Sequence, residues 1–219
     1  MVEVATSILD VPEDKAVQTF YNLEVAKTDY FHIDVMDGEF VEKNTTGKMT
    51  TYCEYLKNIT NIPLDVHLMV KDIQSYIESF LIFEPNIITI HYEACTNIAE
   101  AKKYLQEITS KHCKAGISIK PETKIEEIVE LLPYVHLVLV MSVEPGKGGQ
   151  EFMRIALMKI QALKEYREEQ NLEFDIEVDG GINYTNIQEV ANAGADIVVA
   201  GNYIVKSDDY KLAIENLKK

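Results

Sequence analysis

The sequence is poor in cysteine and has no long apolar run. Its 219 residues include three cysteines, Cys53, Cys95 and Cys113, which are widely spaced and form no CxxC pair. An odd, scattered set argues against a disulfide framework and is typical of a reducing cytosol. No apolar run reaches the roughly 20 residues of a membrane helix. The first residues, MVEVATSILDV, lack the basic start of a signal peptide. We therefore expect a cytoplasmic protein.

Basic residues are also scarce. Lysine and arginine number 21 against 36 aspartates and glutamates, which gives a formal net charge of -15. Nucleic acids and anionic membranes bind clustered basic residues, so we expect neither as a partner. A phosphorylated small molecule is compatible with this charge, because backbone N–H groups can hold phosphate without a basic patch.

The chain contains no linker, low-complexity segment or close repeat, and we expect one domain over residues 1–219. Short apolar strands alternate with longer amphipathic segments. The predicted strands are residues 3–8, 30–36, 63–69, 87–92, 114–119, 136–143, 174–180 and 195–201. Predicted helices include 72–83, 97–112 and 156–170, where apolar residues recur at spacings of three and four. An open doubly wound sheet would place such strands equally well, but eight strands in a chain of this length favour an α/β fold of the (β/α)8 TIM-barrel type.

Three predicted strands carry polar residues near their C-terminal ends, where the active residues of such barrels lie. His32 and Asp34 share one face of the strand in YFHIDVM, because residues two apart on a strand point the same way. His67 is placed similarly in LDVHLM, and Asp179 in IEVDG. Two imidazoles and two carboxylates that converge on one barrel mouth suit a divalent transition metal. We predict one such ion, bound by these four residues.

Other histidines and three methionines lie near strand or helix ends. We interpret His91 as a residue that supports a metal ligand or as a hydrogen-bonded core histidine. His112 and His136 stand at element ends and receive no functional role. The methionines are either gap fillers of the core or a water-excluding wall around a developing anion, where a low dielectric strengthens electrostatic interactions. They are Met36, Met69 and Met141.

Glycine-rich loops follow the last three predicted strands. They read SVEPGKGGQEF, DGGINYTNI and VAGNYIV, and we expect a helix to begin near Asn183. Glycine lets the backbone approach a ligand closely, and N–H groups at a helix start are free to bind an anion. TIM barrels commonly build a phosphate site from the loops after strands 7 and 8. The residues predicted to bind substrate in these loops are Gly146, Gly148, Gly149, Gly180, Gly181, Gly201 and Asn202.

Seven motifs stand in order along the chain and carry a family resemblance. They are SIL (7–9), HIDVMDGEFV (32–41), LDVHLMV (64–70), IHYEA (90–94), VMSVEPGKGGQEF (140–152), EVDGGIN (177–183) and AGADIVVAG (193–201). Together they resemble the ribulose-phosphate 3-epimerase family from about Ser7 to Val205. The resemblance implies a (β/α)8 barrel that interconverts D-ribulose 5-phosphate and D-xylulose 5-phosphate, a reaction of the pentose phosphate pathway. It also implies one divalent metal ion, which is zinc, iron, cobalt or manganese.

The resemblance implies roles for single residues as well. His32, Asp34, His67 and Asp179 match the family's metal ligands, and the two aspartates also match its acid/base pair. Ser7 matches a substrate-contacting serine, and Gly149, Gly181, Gly201 and Asn202 match positions of the phosphate loops. We further expect His67 to contact the substrate, which is a small sugar phosphate, and we expect a homo-oligomer.

The chemistry expected from the residues agrees with this family. Epimerisation of a carbon next to a ketone needs one base on each face of a planar enediolate. Asp34 would remove the proton from carbon 3, and Asp179 would return a proton to the opposite face. The two roles swap in the reverse reaction.

Several loop residues depart from the usual family pattern. DVPEDK follows SIL where SADF is usual, so that Asp10 replaces a serine, and EPGKGGQ stands where NPGFGGQ is common, which changes Glu144 and Lys147. Lys120 and Asn202 occupy positions where asparagine and serine are usual. The positions of the metal ligands are all retained. The altered loops therefore leave open the choice between a pentose and a hexose phosphate.

Three alternative functions follow from these departures. The first is a related epimerase that acts on D-allulose 6-phosphate. The second is a metal-dependent aldolase or decarboxylase, for which Lys120 is the only candidate cation at a strand end. The third is a non-catalytic binder of sugar phosphates. The retention of both Asp34 and Asp179 argues against the third, because binding alone does not require two opposed carboxylates.

Overall fold

The computed structural model describes residues 1–218, and over these residues eight parallel strands form a closed barrel in chain order. The strands are β1 (Glu3–Ser7), β2 (Tyr30–Met36), β3 (Leu64–Met69), β4 (Ile87–His91), β5 (Lys114–Ile119), β6 (Leu137–Met141), β7 (Asp175–Asp179) and β8 (Ile197–Ala200). Pairing of β1 with β8 closes the barrel. The predicted (β/α)8 fold is therefore confirmed.

Helices surround the barrel and connect most of its strands. They are α1 (Ala16–Val25), α2 (Thr46–Ile59), α3 (Ile73–Leu81), α4 (Ile98–Ser110), α5 (Ile155–Gln170), α6 (Ile187–Ala193), α7 (Asn202–Val205) and α8 (Tyr210–Leu217). Between β5 and β6 the chain instead forms the short 3-10 helices Ile125–Glu127 and Val129–Tyr134. Within residues 1–218, none of the helices combines the length and apolar character that crossing a membrane requires.

Asparagine and aspartate side chains fix the starts of several helices. Asp72 accepts a hydrogen bond from Ser75 N at the start of α3, and Asn97 accepts one from Glu100 N at the start of α4. Such caps satisfy backbone donors that have no partner within the helix. The caps set the points at which the chain leaves each strand-end loop and returns along the outside of the barrel.

The strands are buried on both faces, and the two faces differ in chemistry. The outward face packs against the helices in one large apolar core. The inward face is apolar along β6 and β8, where Leu137, Leu139 and Val199 lie. Charged side chains lie fully or almost fully buried elsewhere in the interior, and His32 and Glu177 are 0% exposed. Because buried charges are costly without partners, this polar interior needs a specific arrangement of side chains.

Candidate active site

A cavity of about 250 Å³ opens at the C-terminal ends of the strands. Asp34 at the end of β2 and Asp179 at the end of β7 both line it. Strands β1 and β8 stand between β2 and β7 in the barrel, so the two carboxylates enter the cavity from different sides. The apolar part of the wall includes the three predicted methionines, Met36, Met69 and Met141.

The four predicted metal ligands converge beneath this cavity. Ligand atoms of His32, Asp34, His67 and Asp179 all lie within 4.8 Å of one another. The strand register explains part of this arrangement, because Asp34 on β2 pairs with His67 on β3. His32 Nε2 lies 3.4 Å and His67 Nδ1 lies 3.3 Å from Asp34 Oδ1. Two imidazole nitrogens and two carboxylates thus face one point.

The donor set fits a divalent transition metal. Imidazole and carboxylate together suit zinc, iron, manganese or cobalt, whereas calcium and magnesium prefer oxygen ligands alone. His32 Nε2 is buried and has no hydrogen-bond partner among residues 1–218. A buried nitrogen that faces a carboxylate at 3.4 Å without a protein donor or acceptor is suited to coordinate a cation.

The other ring nitrogen of His32 is held by a carboxylate from the neighbouring strand. His32 Nδ1 bonds to Asp65 Oδ2, and Glu177 Oε1 lies 3.9 Å away. Burial lowers the pKa of His32, but Asp65 and Asp34 outweigh burial and raise it. Nδ1 therefore carries a proton toward Asp65, and Nε2 offers its lone pair to a metal once it has given up its proton. Burial raises the pKa of Glu177 well above its ordinary value, and the charge of Asp65 adds to the shift. In the sequence, Asp65 and Glu177 share a strand face with His67 and Asp179, two residues earlier in each case, but the sequence indicates no role for them.

The two cavity carboxylates differ in their affinity for a proton. Burial raises the pKa of Asp34, but the adjacent His32 and His67 outweigh burial and hold the pKa well below its usual range. Ser7 Oγ donates a hydrogen bond of 2.7 Å to Asp34 Oδ2. Burial raises the pKa of Asp179 to about 7, and the negative charge of Asp34 contributes to this rise. Near neutral pH, Asp34 is therefore ionised while Asp179 can carry a proton.

His67 lies behind the cavity wall rather than in it. Its side chain is fully buried and stacks on His91, with ring centroids 5.0 Å apart. The described residues that line the cavity do not include His67, and its contact with the substrate stays a prediction. Its predicted place among the metal ligands agrees with the geometry. His91, which we interpreted as a supporting or core histidine, contacts His67 directly.

The glycine-rich loops line the part of the cavity at the ends of β6, β7 and β8. All seven residues predicted from these loops lie in its wall: Gly146, Gly148, Gly149, Gly180, Gly181, Gly201 and Asn202. Gly201 precedes the first turn of α7, where backbone N–H groups have no partner within the helix. Asn202 Oδ1 is buried and has no hydrogen-bond partner among residues 1–218.

The helix that we expected near Asn183 begins later, at Ile187. Asn183 Oδ1 accepts from Thr185 N at 2.9 Å, and Asn186 Oδ1 accepts from Asn183 N at 2.9 Å. These side chains compete with helical hydrogen bonds and form a turn before the helix. The predicted helix start was therefore wrong, and the loop after β7 is longer than expected.

Lys120 does not take part in the cavity. Within residues 1–218, the side chains that line the cavity do not include Lys120. Its Nζ instead lies 4.7 Å from the centroid of the Phe40 ring. An aldolase or decarboxylase that used this lysine would need it beside the two aspartates, so the geometry does not support that alternative.

Comparisons with known proteins identify the family of this chain. A sequence model of the ribulose-phosphate 3 epimerase family matches residues 3–205. The chain is 43% identical over 194 residues to the ribulose-phosphate 3-epimerase of Helicobacter pylori, which covers 89% of this chain and 87% of that protein. It is 36% identical over 219 residues to the ribulose-phosphate 3-epimerase of Bacillus subtilis, which covers 100% of this chain and 99% of that protein. Among solved structures, 3-hexulose-6-phosphate synthase superposes with a TM-score of 0.73 at 14% identity, over 99% of this chain and 98% of that chain, which shows a shared fold.

Proposed function

Because the chain belongs to the ribulose-phosphate 3-epimerase family and is an isomerase, we propose that it interconverts D-ribulose 5-phosphate and D-xylulose 5-phosphate by proton transfer at carbon 3. The observation that supports this most is the pair of carboxylates, Asp34 and Asp179, which reach one cavity from β2 and β7. An epimerase needs a base on each face of the carbon. A binding protein or a one-face enzyme does not need such a pair.

The electrostatics of the two carboxylates support a division of roles. Asp34 is ionised, so it acts as the base that takes the proton from carbon 3. Asp179, which reaches the cavity from β7, exchanges a proton with the other face. Ser7 holds the Asp34 carboxylate in place through its hydrogen bond to Oδ2. The roles of the two aspartates reverse when the sugar of opposite configuration is bound.

We also propose that His32, Asp34, His67 and Asp179 hold one divalent ion, which is zinc, iron, manganese or cobalt. When bound, such a cation supplies positive charge that stabilises the negative charge developing on the substrate oxygens. The chain's own residues prepare the ligands, because Asp65 fixes the proton of His32 on Nδ1. The methionine wall excludes water and so strengthens these electrostatic interactions.

The phosphate group is proposed to rest on backbone N–H groups of Gly181, Gly201 and Asn202, with Gly149 on the opposite loop. Lys147 is the only lysine or arginine in the described lining of the cavity, and it is exposed. The site therefore offers backbone donors in place of a basic patch. A cytoplasmic location and a homo-oligomeric state stay predictions from the sequence.

Turnover of two substrates tests the proposed function. We expect the metal-loaded chain to epimerise D-ribulose 5-phosphate with a higher kcat/KM than D-allulose 6-phosphate. A higher kcat/KM for the hexose phosphate would show that the altered loops have changed the substrate. Absence of turnover with both sugars, in protein loaded with each of the four metals, would contradict an epimerase function.

Substitution of Gly181 by alanine is expected to weaken substrate binding strongly. Gly181 has a φ of +67°, and a Cβ there would lie 2.5 Å from Phe152 N and 2.8 Å from Gln150 O. The loops after β6 and β7 would have to separate, which would displace the proposed phosphate donors. Lys147→Ala removes only an exposed charge and should raise KM less. KM for D-ribulose 5-phosphate is the measurement.

Gly47→Ala is the matched control for this experiment. A Cβ at Gly47 on α2 would meet nothing within 4 Å, so this variant should keep the wild-type KM. A larger KM increase for Lys147→Ala than for Gly181→Ala would indicate that a point charge holds the phosphate. The proposed backbone site would then be wrong.

Metal binding is expected to displace a proton from Asp179. Its pKa of about 7 leaves this carboxyl mostly protonated at about pH 6, so a cation must compete with the proton. Wild-type protein should release about one proton more on binding Zn²⁺ than Asp179→Asn does, and wild-type affinity should rise as the pH rises through about 7. Calorimetry in buffers of different ionisation enthalpy counts the protons. Equal proton release by both proteins would contradict this role of Asp179.

A further inference from the structure

A chain of hydrogen bonds leads from His67 away from the cavity. His67 Nε2 lies 2.9 Å from His91 Nε2, and His91 Nδ1 lies 3.0 Å from Glu93 Oε2. Both histidine side chains are 0% exposed, and the Glu93 side chain is 18% exposed. This series of hydrogen bonds joins His67, a proposed metal ligand on β3, to the Glu93 carboxylate beyond the end of β4.

If His67 is to bind a metal, only one placement of the imidazole protons satisfies every hydrogen bond in this series. An ionised carboxylate only accepts hydrogen bonds, so His91 Nδ1 carries a proton toward Glu93. The neutral His91 ring then has a bare Nε2, which accepts a hydrogen bond from His67 Nε2–H. His67 is left with its lone pair on Nδ1, the nitrogen that lies 3.3 Å from Asp34 Oδ1.

We propose that Glu93 is a positioning residue that sets the tautomer of His67 through His91, so that His67 presents a bare Nδ1 to the metal. The inference rests on the proposed function, because that function supplies the metal. It parallels the part of Asp65, which sets the tautomer of His32 directly. A carboxylate thus orients each of the two imidazole ligands. Asp65 acts on His32 directly, and Glu93 acts on His67 through His91.

The loop after β5 holds Glu93 in the ionised state and in one orientation. Glu93 Oε1 accepts from Lys120 N at 2.7 Å and from the Thr123 hydroxyl. Lys159 is a buried residue with an exposed fraction of 8%. Its Nζ donates hydrogen bonds to the carbonyl oxygens of Lys120 and Thr123, which fixes this loop. Burial raises the pKa of Glu93, but the bonds from His91 and this loop outweigh burial and lower the pKa to about 2.

The fixed orientation makes Glu93→Gln a test with a defined outcome. Two donors, Lys120 N–H and the Thr123 hydroxyl, meet at Oε1, so the amide oxygen of a glutamine must take that place. The amide NH₂ then faces His91 Nδ1 and donates to it. His91 must carry its proton on Nε2 and donate to His67 Nε2, which moves the His67 proton to Nδ1. A protonated Nδ1 cannot bind a metal.

Nitrogen NMR of the imidazoles in metal-free protein reads this change without any activity measurement. We expect wild-type protein to show His91 with its proton on Nδ1, toward Glu93. Glu93→Gln should move the His91 proton to Nε2. It should also weaken Zn²⁺ binding, measured by equilibrium dialysis, by about 10- to 100-fold, as loss of a residue that orients a ligand does.

Glu127→Gln is the matched control, because it removes an equal charge from the same region. Glu127 Oε1 accepts from Lys124 N and makes no contact with the chain of hydrogen bonds. This variant should keep the wild-type tautomers and the wild-type Zn²⁺ affinity. An equal loss of affinity in both variants would show that net charge, and not the tautomer, is responsible, and would overturn the inference.

The two proposals fail in different ways. Wild-type protein with His91 protonated on Nε2, or Glu93→Gln with an unchanged His91 tautomer, would overturn the role of Glu93 whatever the protein catalyses. The wild-type spectrum alone gives this answer if Glu93→Gln does not fold. Wild-type protein with the expected tautomers that binds no Zn²⁺, iron, manganese or cobalt would instead overturn the proposed function.

Discussion

Asp34→Asn is expected to lose metal binding and turnover together. Asp34 Oδ1 lies 3.4 Å from His32 Nε2 and 3.3 Å from His67 Nδ1, so its charge is central to the proposed metal site. The same carboxylate is the proposed base, and loss of a general base alone costs about 100- to 10,000-fold in rate. Because Asp34→Asn also lacks a charged metal ligand, we expect kcat to fall by more than the loss of a general base alone would cause. Metal content by mass spectrometry and turnover of D-ribulose 5-phosphate measure the two losses.

Ser7→Ala separates the charge of Asp34 from its orientation. This variant removes the 2.7 Å hydrogen bond to Asp34 Oδ2 but leaves the carboxylate. We expect it to retain a full complement of metal and to lose far less activity than Asp34→Asn. An Asp34→Asn protein that kept both its metal and more than a tenth of wild-type kcat would contradict both assigned roles of Asp34.

Asp179→Asn is expected to abolish epimerisation while exchange at carbon 3 continues. The Asp34 carboxylate still removes and returns the proton on its own face of the sugar. The opposite face has lost its proton donor, because the amide of asparagine cannot take up and return a proton as the Asp179 carboxyl does. In D₂O, the variant should therefore place deuterium at carbon 3 of D-ribulose 5-phosphate without forming D-xylulose 5-phosphate.

The metal content of Asp179→Asn must be known before its exchange rate is interpreted. Asp179 is also a proposed ligand, so each exchange measurement is made at a metal concentration that saturates the variant. Equal loss of exchange and of epimerisation in metal-saturated Asp179→Asn would rule out the division into two bases. Unchanged epimerisation would remove Asp179 from the reaction altogether.

The barrel and the convergence of the four side chains could be predicted because both follow short-range patterns. Alternating apolar strands and amphipathic helices indicate the fold. The two-residue spacing of His32 and Asp34 places both side chains on one face, which in a parallel barrel is the interior. The C-terminal position of His67 and Asp179 on their strands then brings them to the same mouth.

The supporting carboxylates were harder to predict because they act between strands. Asp65 binds His32 through the register of β2 and β3, which pairs these two residues. A sequence alone does not contain that register. Glu93 follows His91 by two residues, the spacing that also marks His32 and Asp34, and this spacing is its signal in the sequence. Its effect on His67 depends on a contact between β3 and β4.

The start of the helix after β7 could not be predicted for a local reason. The side chain of Asn183 forms a turn with Thr185, and the regular helix begins at Ile187. Strand position fixes the face of a residue but not its depth, so the burial of His67 against His91 did not follow from the sequence.

The origin of the hydrogen at carbon 3 of the product tests the central claim most directly. Metal-loaded wild-type protein is given D-ribulose 5-phosphate in D₂O, and the first D-xylulose 5-phosphate formed is analysed by NMR. Two bases, Asp34 and Asp179, predict product that carries deuterium at carbon 3 from the earliest turnovers, because the returning hydrogen comes from the second, solvent-equilibrated carboxyl. Early product that retains the substrate's own hydrogen at carbon 3 would show that a single group moves it, and would contradict the account.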